Sequence, residues 1–247
     1  MKNRFILLLI PVLFLTGYIL IKTGSGTRKD ILQPADSTIG WQKDAKRMVE
    51  TQLSTRDIKD TNVLRVMALT PRHLFVPPGY RNSAYSDSPL PIGYGQTISQ
   101  PYIVALMTEL LQLTGREKIL EIGTGSGYQA AILSQLCEKV YSIEIICPLA
   151  DSAALTLKRL NFNNVKIKCD DGYKGWPEFA PYDGIIVTAA PEEIPDELAK
   201  QLKNGGRMVV PVGKYGQELI LITKTPDGIK QESITGVRFV PMVHPDR

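Results

Sequence analysis

Three glycines at alternate positions, Gly123-Thr124-Gly125-Ser126-Gly127, follow the apolar run Lys118 to Ile122, and the carboxylates Glu121, Glu144 and Asp171 stand around them. A strand that runs into a glycine-rich turn and then a helix brings backbone N–H groups close to a nucleotide, because glycine has no Cβ to hold the ligand off and takes positive φ freely. The dinucleotide fingerprint wants a further glycine where this chain has Tyr128. Glu121, just before the turn, would repel a pyrophosphate and attract a sulfonium or an amino group. The ligand expected here carries positive charge.

Glu144 closes the next strand, where it can accept hydrogen bonds from both ribose hydroxyls. Asp171-Gly172 follows the third strand and offers an acceptor to an adenine amino group. Taken singly, each carboxylate reads as a solvated surface charge. Their joint placement at three successive strand ends reverses that reading, since open α/β sheets bind ligands at the carboxyl edge of their strands. Among nucleotide cofactors the set favours S-adenosylmethionine over NAD.

The elements that must hold these residues are legible as alternating patterns. Trp41, Ala45, Met48, Val49, Gln52 and Leu53 share one helical face, a second helix starts after Asp60 as N-cap, and Pro71 ends it. The stretch Arg72 to Ile98 is rich in Pro, Gly, Tyr and Ser without any period and reads as a long ordered loop, a candidate wall or lid of a site. Pro101 to Leu111 is a helix, and Ser99 stands where it could cap it. Strands are expected at Lys118–Ile122, Lys139–Ile143, Val165–Lys168, Gly184–Thr188 and Arg207–Pro211, with helices at Tyr128–Leu136, Pro148–Leu160 and Asp196–Leu202. Such alternation gives a doubly wound, mostly parallel α/β sheet with helices on both faces. Leu219–Thr223 and Val237–Val243 read as two closing strands.

With 247 residues, 43% of them hydrophobic and 22% charged, the chain has room for one α/β domain with appendages. We expect a hydrophobic leader and linker over residues 1–30. One domain follows over 31–247, with a helical and loop segment at 31–100 and the cofactor-binding core at 101–247. The run Phe5 to Ile21 lies behind Lys2 and Arg4 and is broken by Pro11, Thr16 and Gly17, the pattern of a signal peptide or, in preference, an uncleaved anchor. Basic residues on both sides leave its orientation open. The net charge of +4 comes from this leader, and the balanced remainder argues against a nucleic-acid partner. Cys137, Cys147 and Cys169 form no Cys-x-x-Cys pair and read as buried free thiols. Neither they nor His73 and His244 show metal-ligand spacing, so no metal is expected. The lack of a coiled-coil stripe favours a monomer.

Several blocks together resemble the protein-L-isoaspartate O-methyltransferases, from about Trp41 to Val243. They are Arg72-His73-Leu74-Phe75-Val76-Pro77, Pro91-Ile92-Gly93-Tyr94-Gly95-Gln96-Thr97-Ile98-Ser99-Gln100-Pro101, the segment Leu120 to Gln129, Asp171 to Trp176, and Val237-Arg238-Phe239-Val240-Pro241. The resemblance implies a Rossmann-like methyltransferase sandwich with an antiparallel edge strand and an N-terminal helical segment. It implies Ser99 as the active-site serine, with Thr97, Glu121, Gly123, Gly125, Gly127, Glu144, Asp171, Gly172 and Gln217 as cofactor contacts. The implied reaction is S-adenosylmethionine-dependent methylation of isoaspartyl carboxylates in damaged proteins, which starts repair through a succinimide. A cytoplasmic catalytic domain is implied too, membrane-anchored or, alternatively, exported if the leader is a signal peptide. Two residue stretches depart from the family: Asp170 stands where glycine is usual, and Ile145-Ile146-Cys147 replaces an Arg-containing stretch. The rival readings are a methyltransferase with another acceptor and a cofactor-binding module without catalysis.

Overall fold

The computed structural model describes residues 40–245, so the expected leader lies outside the described residues. Helix α1 (Trp41–Met48) runs into a π-helical turn, Val49–Leu53, and buries Ala45, Met48 and Leu53 on the predicted face. Asp60 caps α2 (Thr61–Leu69), its carboxylate accepting the N–H groups of Asn62 and Val63. Beyond Pro71 the chain makes two 3₁₀ turns, Arg72–Phe75 and Pro78–Ser83, and then a hairpin of β1 (Leu90–Gly93) and β2 (Gln96–Ile98). The aperiodic reading of this segment is thereby corrected. Tyr94 and Gly95 both take positive φ, 54° and 71°, as the tightest hairpin turns require, and a tyrosine in that position conceals the turn.

Helix α3 (Pro101–Leu110) leads into the alternating part: β3 (Lys118–Ile122), α4 (Tyr128–Ser134), β4 (Lys139–Glu144), α5 (Cys147–Arg159), β5 (Val165–Cys169), β6 (Tyr182–Val187), α6 (Asp196–Gln201) and β7 (Leu202–Val212). A hairpin of β8 (Gln217–Thr225) and β9 (Gly228–Val237) completes a seven-stranded sheet in the order β5-β4-β3-β6-β7-β8-β9. Strands β3 to β7 pair in parallel, while β8 is antiparallel to both neighbours, so the antiparallel pairing sits at the expected edge. The last strand was expected at Val237–Val243 and lies earlier. β9 carries Lys230, Gln231 and Glu232 and is largely exposed, so no apolar run announces it. Residues 238–243 instead form a strap, tied down where Ala190 N–H bonds Val240 O and Met242 N–H bonds Ala190 O, both at 2.8 Å.

Strand β3 is buried on both faces, as a central parallel strand must be. Ile119 packs into the cluster beneath α2, α3 and α4, while Leu120 and Ile122 join Trp176, Tyr182 and Leu198 on the opposite face. The sheet order reverses between β3 and β6, which opens a crevice beyond their carboxyl ends.

The cysteine expectation is corrected in part. Cys137 is a buried free thiol, but Cys147 and Cys169 form a disulfide with Cα atoms 5.1 Å apart. Cys147 opens α5 and Cys169 ends β5, beside Glu144 of β4 in the strand register. Two adjacent strand ends close a separation of 22 residues, a proximity that sequence spacing does not reveal.

Candidate active site

The glycine turn lies at the head of the crevice. Gly123 takes φ 93° with its N–H on Ile143 O at 2.8 Å, and a Cβ there would run into the Thr188 hydroxyl. That hydroxyl donates to Gly123 O at 2.6 Å, so the end of β6 holds the end of β3. Gly125 donates its N–H to Glu144 Oε2 at 2.7 Å. Gly127, at φ 85°, starts α4 and packs on Ala153 and Leu157, away from the cavity. Gly127 therefore serves the helix start, while Gly123 and Gly125 line the cavity with Thr124, Ser126, Glu144, Ile145, Ile146 and Gly172.

Glu144 is 5% exposed, and its second oxygen accepts the Ile146 N–H at 3.0 Å. A carboxylate has about four acceptor positions, so two remain for hydroxyl donors from the cavity. Glu121 behaves differently and corrects the expectation that its charge meets the cofactor. It is wholly buried under the loop, outside the cavity lining, where its Oε2 accepts from the Ser142 hydroxyl, itself bonded to Thr124. Burial, with Glu144 nearby adding like charge, pushes its carboxyl up to about 8. At neutral pH Glu121 is therefore protonated and works as a buttress of the loop.

Asp171 also stops short of the cavity lining, which Gly172 reaches. Its oxygens are engaged by the Tyr173 N–H at 2.9 Å and by His244 Nδ1 at 3.1 Å, and the His244 ring stacks on Tyr173 with centroids 4.1 Å apart. His244 was read only for metal spacing, and its place here depends on the strap. Asp170 is set by Lys168 at 2.8 Å and accepts the Asp171 N–H at 2.7 Å, contacts that hold its carboxyl below the usual range.

Thr97 and Ser99 stand at the junction of two cavities. Both line the glycine-loop cavity and also a second groove formed with Gln100, Ile103, Lys214, Tyr215, Arg238 and Phe239. The capping expectation for Ser99 is not met. Gln100 is the N-cap of α3 and makes no side-chain cap, while Asp87 takes that task, accepting the Tyr102 N–H at 3.0 Å and Gln100 Nε2 at 2.8 Å. Gln217 is corrected as well. It lines the second groove alone, and its amide is spent on Phe239, accepting the N–H at 2.6 Å and donating to the carbonyl at 3.2 Å. It anchors the strap.

Sequence reasoning missed Arg72 as an individual residue. A loop arginine reads as solvated, yet this one is 0% exposed. Its Nη2 donates to Ser99 O and its Nε to Ala84 O, both at 2.7 Å, and the guanidinium lies 4.7 Å from the centroid of the Tyr128 ring. Burial lowers its pKa, and Nη1 has no hydrogen-bond partner among the described residues. Arg72 thus ties the Ser99 backbone to the wall and to the first residue of α4.

Residues 42–247 match the family model described as protein-L-isoaspartate(D-aspartate) O-methyltransferase. A protein-L-isoaspartate O-methyltransferase from Geobacter metallireducens is 58% identical over 200 residues, covering 80% of this chain and 93% of that protein. One from Syntrophobacter fumaroxidans is 55% identical over 206 residues, covering 83% and 96%. Among solved structures, a protein-L-isoaspartate O-methyltransferase superposes with a TM-score of 0.75 at 30% identity, over 83% of this chain and 66% of that one. A Plasmodium falciparum member described in complex with S-adenosyl-L-homocysteine superposes with a TM-score of 0.70 at 26% identity, over 81% and 98%.

Proposed function

Because this chain belongs to the protein-L-isoaspartate(D-aspartate) O-methyltransferase family, we propose that Ser99 orients the acceptor carboxylate toward the methyl donor held over the glycine loop. The chain is an S-adenosylmethionine-dependent protein carboxyl methyltransferase acting on L-isoaspartyl residues. The observation that carries the assignment of Ser99 is the junction: Thr97, Ser99, Thr188, Val240 and Pro241 line both cavities, so donor side and acceptor side meet there. The donor side fits the cofactor through the free acceptor positions of Glu144 and the close approach that Gly123 and Gly125 permit. In this reading Glu144 holds the ribose hydroxyls, Gly172 with Asp171 borders the adenine, and Thr97 edges the donor.

S-adenosylmethionine supplies an electrophilic methyl group when bound. The acceptor is a carboxylate with a pKa of about 4 in water, already ionised at neutral pH, so no general base is needed. The work left to the protein is orientation and exclusion of water. The Ser99 hydroxyl donates one hydrogen bond to the acceptor carboxylate, which points the other oxygen at the methyl group. Arg72 holds the Ser99 backbone in place. The methyl ester formed is more electrophilic than the ionised carboxylate, so the neighbouring backbone nitrogen attacks its carbonyl, gives up its proton and expels methanol to close a succinimide, and hydrolysis returns part of that ring as aspartate.

The test pairs isoaspartyl and aspartyl peptides of one sequence with methyl-labelled S-adenosylmethionine and counts base-labile ester. Label confined to the isoaspartyl peptide is expected, with kcat lowered about tenfold in Ser99→Ala and S-adenosylhomocysteine affinity kept, the size of one lost hydrogen bond. Unchanged kinetics in Ser99→Ala would remove the serine from the mechanism. For cellular placement, no helix among the described residues is long and apolar enough to cross a membrane. The Cys147–Cys169 disulfide favours the exported alternative, since such bonds persist in oxidising compartments. Digestion of the domain by protease added to cells with a permeabilised outer envelope is the expected result, and full protection would return it to the cytoplasm.

A further inference from the structure

The disulfide sits where it can act on the cofactor cavity. It joins the first residue of α5 to the last residue of β5, and both cysteines are exposed. Only Ile145 and Ile146 separate Cys147 from Glu144, and all three of Glu144, Ile145 and Ile146 line the cavity. On the other side, Cys169 faces Glu144 in the strand register, and the next residue, Asp170, donates its N–H to Glu144 O at 3.0 Å. The disulfide and the Asp170–Glu144 backbone hydrogen bond together therefore close a ring around the Glu144 turn. β5 is an edge strand, paired with β4 alone in the sheet order, so the disulfide fastens one edge of the sheet. Gly172 follows Cys169 by three residues and lines the cavity too.

We propose that the Cys147–Cys169 pair is a thiol–disulfide exchange site whose closed form holds the cofactor cavity in its binding shape, so that reduction by an external dithiol weakens cofactor binding. This rests on the reading that the Glu144 cavity takes the adenosyl cofactor. In the exchange, a thiolate of the dithiol attacks Cys169 Sγ, the S–S bond breaks, and Cys147 leaves as thiolate. Cys147 is the better leaving group because it opens a 13-residue helix, whose N-terminus stabilises negative charge. The second thiol of the reductant then displaces Cys169 from the mixed disulfide. Two electrons pass from the dithiol to the cysteine pair, the reductant becomes a cyclic disulfide, and its two protons end on Cys147 and Cys169. The backbone bonds around Glu144 survive, so the turn loosens without loss of the fold.

Calorimetric titration of the full-length chain with S-adenosylhomocysteine, before and after treatment with dithiothreitol, tests this, with thiols counted by alkylation and mass spectrometry. We expect two additional alkylated cysteines after reduction and affinity weaker by about five- to tenfold, within the usual range of coupling between sites. The double variant Cys147→Ser/Cys169→Ser should bind like the reduced chain with or without dithiothreitol. Equal affinity of oxidised and reduced chain, or cysteines alkylated without any reductant under oxidising conditions, overturns the proposal. Glu144→Ala in the oxidised state separates the two levels. If it keeps full affinity, the cavity reading itself fails. If it loses affinity while oxidised and reduced wild type bind alike, only the redox coupling fails.

Discussion

The two halves of the site each rest on a fully buried ionisable side chain, and the two are handled in opposite ways. Beneath the glycine loop, Glu121 lies in the sheet and escapes the cost of a buried charge by keeping its proton. Beneath the acceptor wall, Arg72 cannot shed its charge, and the chain surrounds it with two carbonyls and the face of Tyr128. The difference follows from what each must hold. The parallel strands already set the loop through backbone bonds from Gly123 and Thr124 to Ile143, so Glu121 needs only to fill and bond. The wall of residues 72–100 has only a two-stranded hairpin and turns of its own, and a charged fork with several donors ties such irregular chain together.

Removing the fork should do the greater damage. Arg72→Leu leaves the carbonyls of Ala84 and Ser99 without their buried donor, at a cost of about 3–5 kcal/mol in unfolding free energy. Urea titration measures this, and Arg72→Lys should recover only part of it, because an ammonium cannot reach both carbonyls while stacking on Tyr128. For the folded fraction, kcat should fall while S-adenosylhomocysteine affinity stays near wild type. If stability is unchanged in the leucine variant, the wall does not depend on Arg72.

The same contrast explains what was legible in the sequence. The loop side could be read because its signals are local: an apolar strand, alternate glycines and a carboxylate at the next strand end, all found at the expected positions in β3, α4 and β4. The wall side could be recognised only as a block resembling a family, since its contacts join residues far apart in the chain. Arg72 meets Ser99 at a separation of 27 residues and Ala84 at 12, and no periodicity encodes either pairing. Misplaced residues fail for related reasons. Gln217 is drawn to Phe239 by the strap, and Glu121 shows its type in the sequence but not its burial. The disulfide and the exposed edge strand β9 likewise depend on which strands become neighbours.

Glu144 sharpens the comparison from the loop side, with an effect expected to be next in size. Its carboxylate holds two backbone N–H groups and keeps two acceptor positions toward the cavity. Loss of charge-assisted bonds to a ligand costs about 2–3 kcal/mol, so Glu144→Ala should weaken S-adenosylhomocysteine about 30- to 150-fold. Calorimetry reads this directly. The Arg72 and Glu144 variants thus divide the phenotype, stability and turnover against cofactor affinity. A Glu144→Ala chain that lost turnover yet bound cofactor normally would dissolve the division.

Glu121 should show its smallest effect near pH 5, and its signature is a pH dependence. Its folded-state carboxyl is raised to about 8, while the unfolded chain titrates near 4.5. Below about 4.5 both states hold the proton and the group is neutral to folding. Between about 4.5 and about 8 the folded state holds a proton that the unfolded state has released, so stability falls as pH rises through this window. Above about 8 both states are ionised and the decline stops, the burial of a charge now weighing fully against the fold. Glu121→Gln puts a neutral amide of the same shape beside Ser142, still able to accept its hydroxyl. Near pH 5 the variant should unfold at nearly the wild-type urea midpoint, and by pH 8.5 it should be the more stable of the two. Midpoints at pH 5, 7 and 8.5 decide the matter: parallel profiles for both chains would mean that Glu121 is ionised under the loop and is not held neutral by its burial.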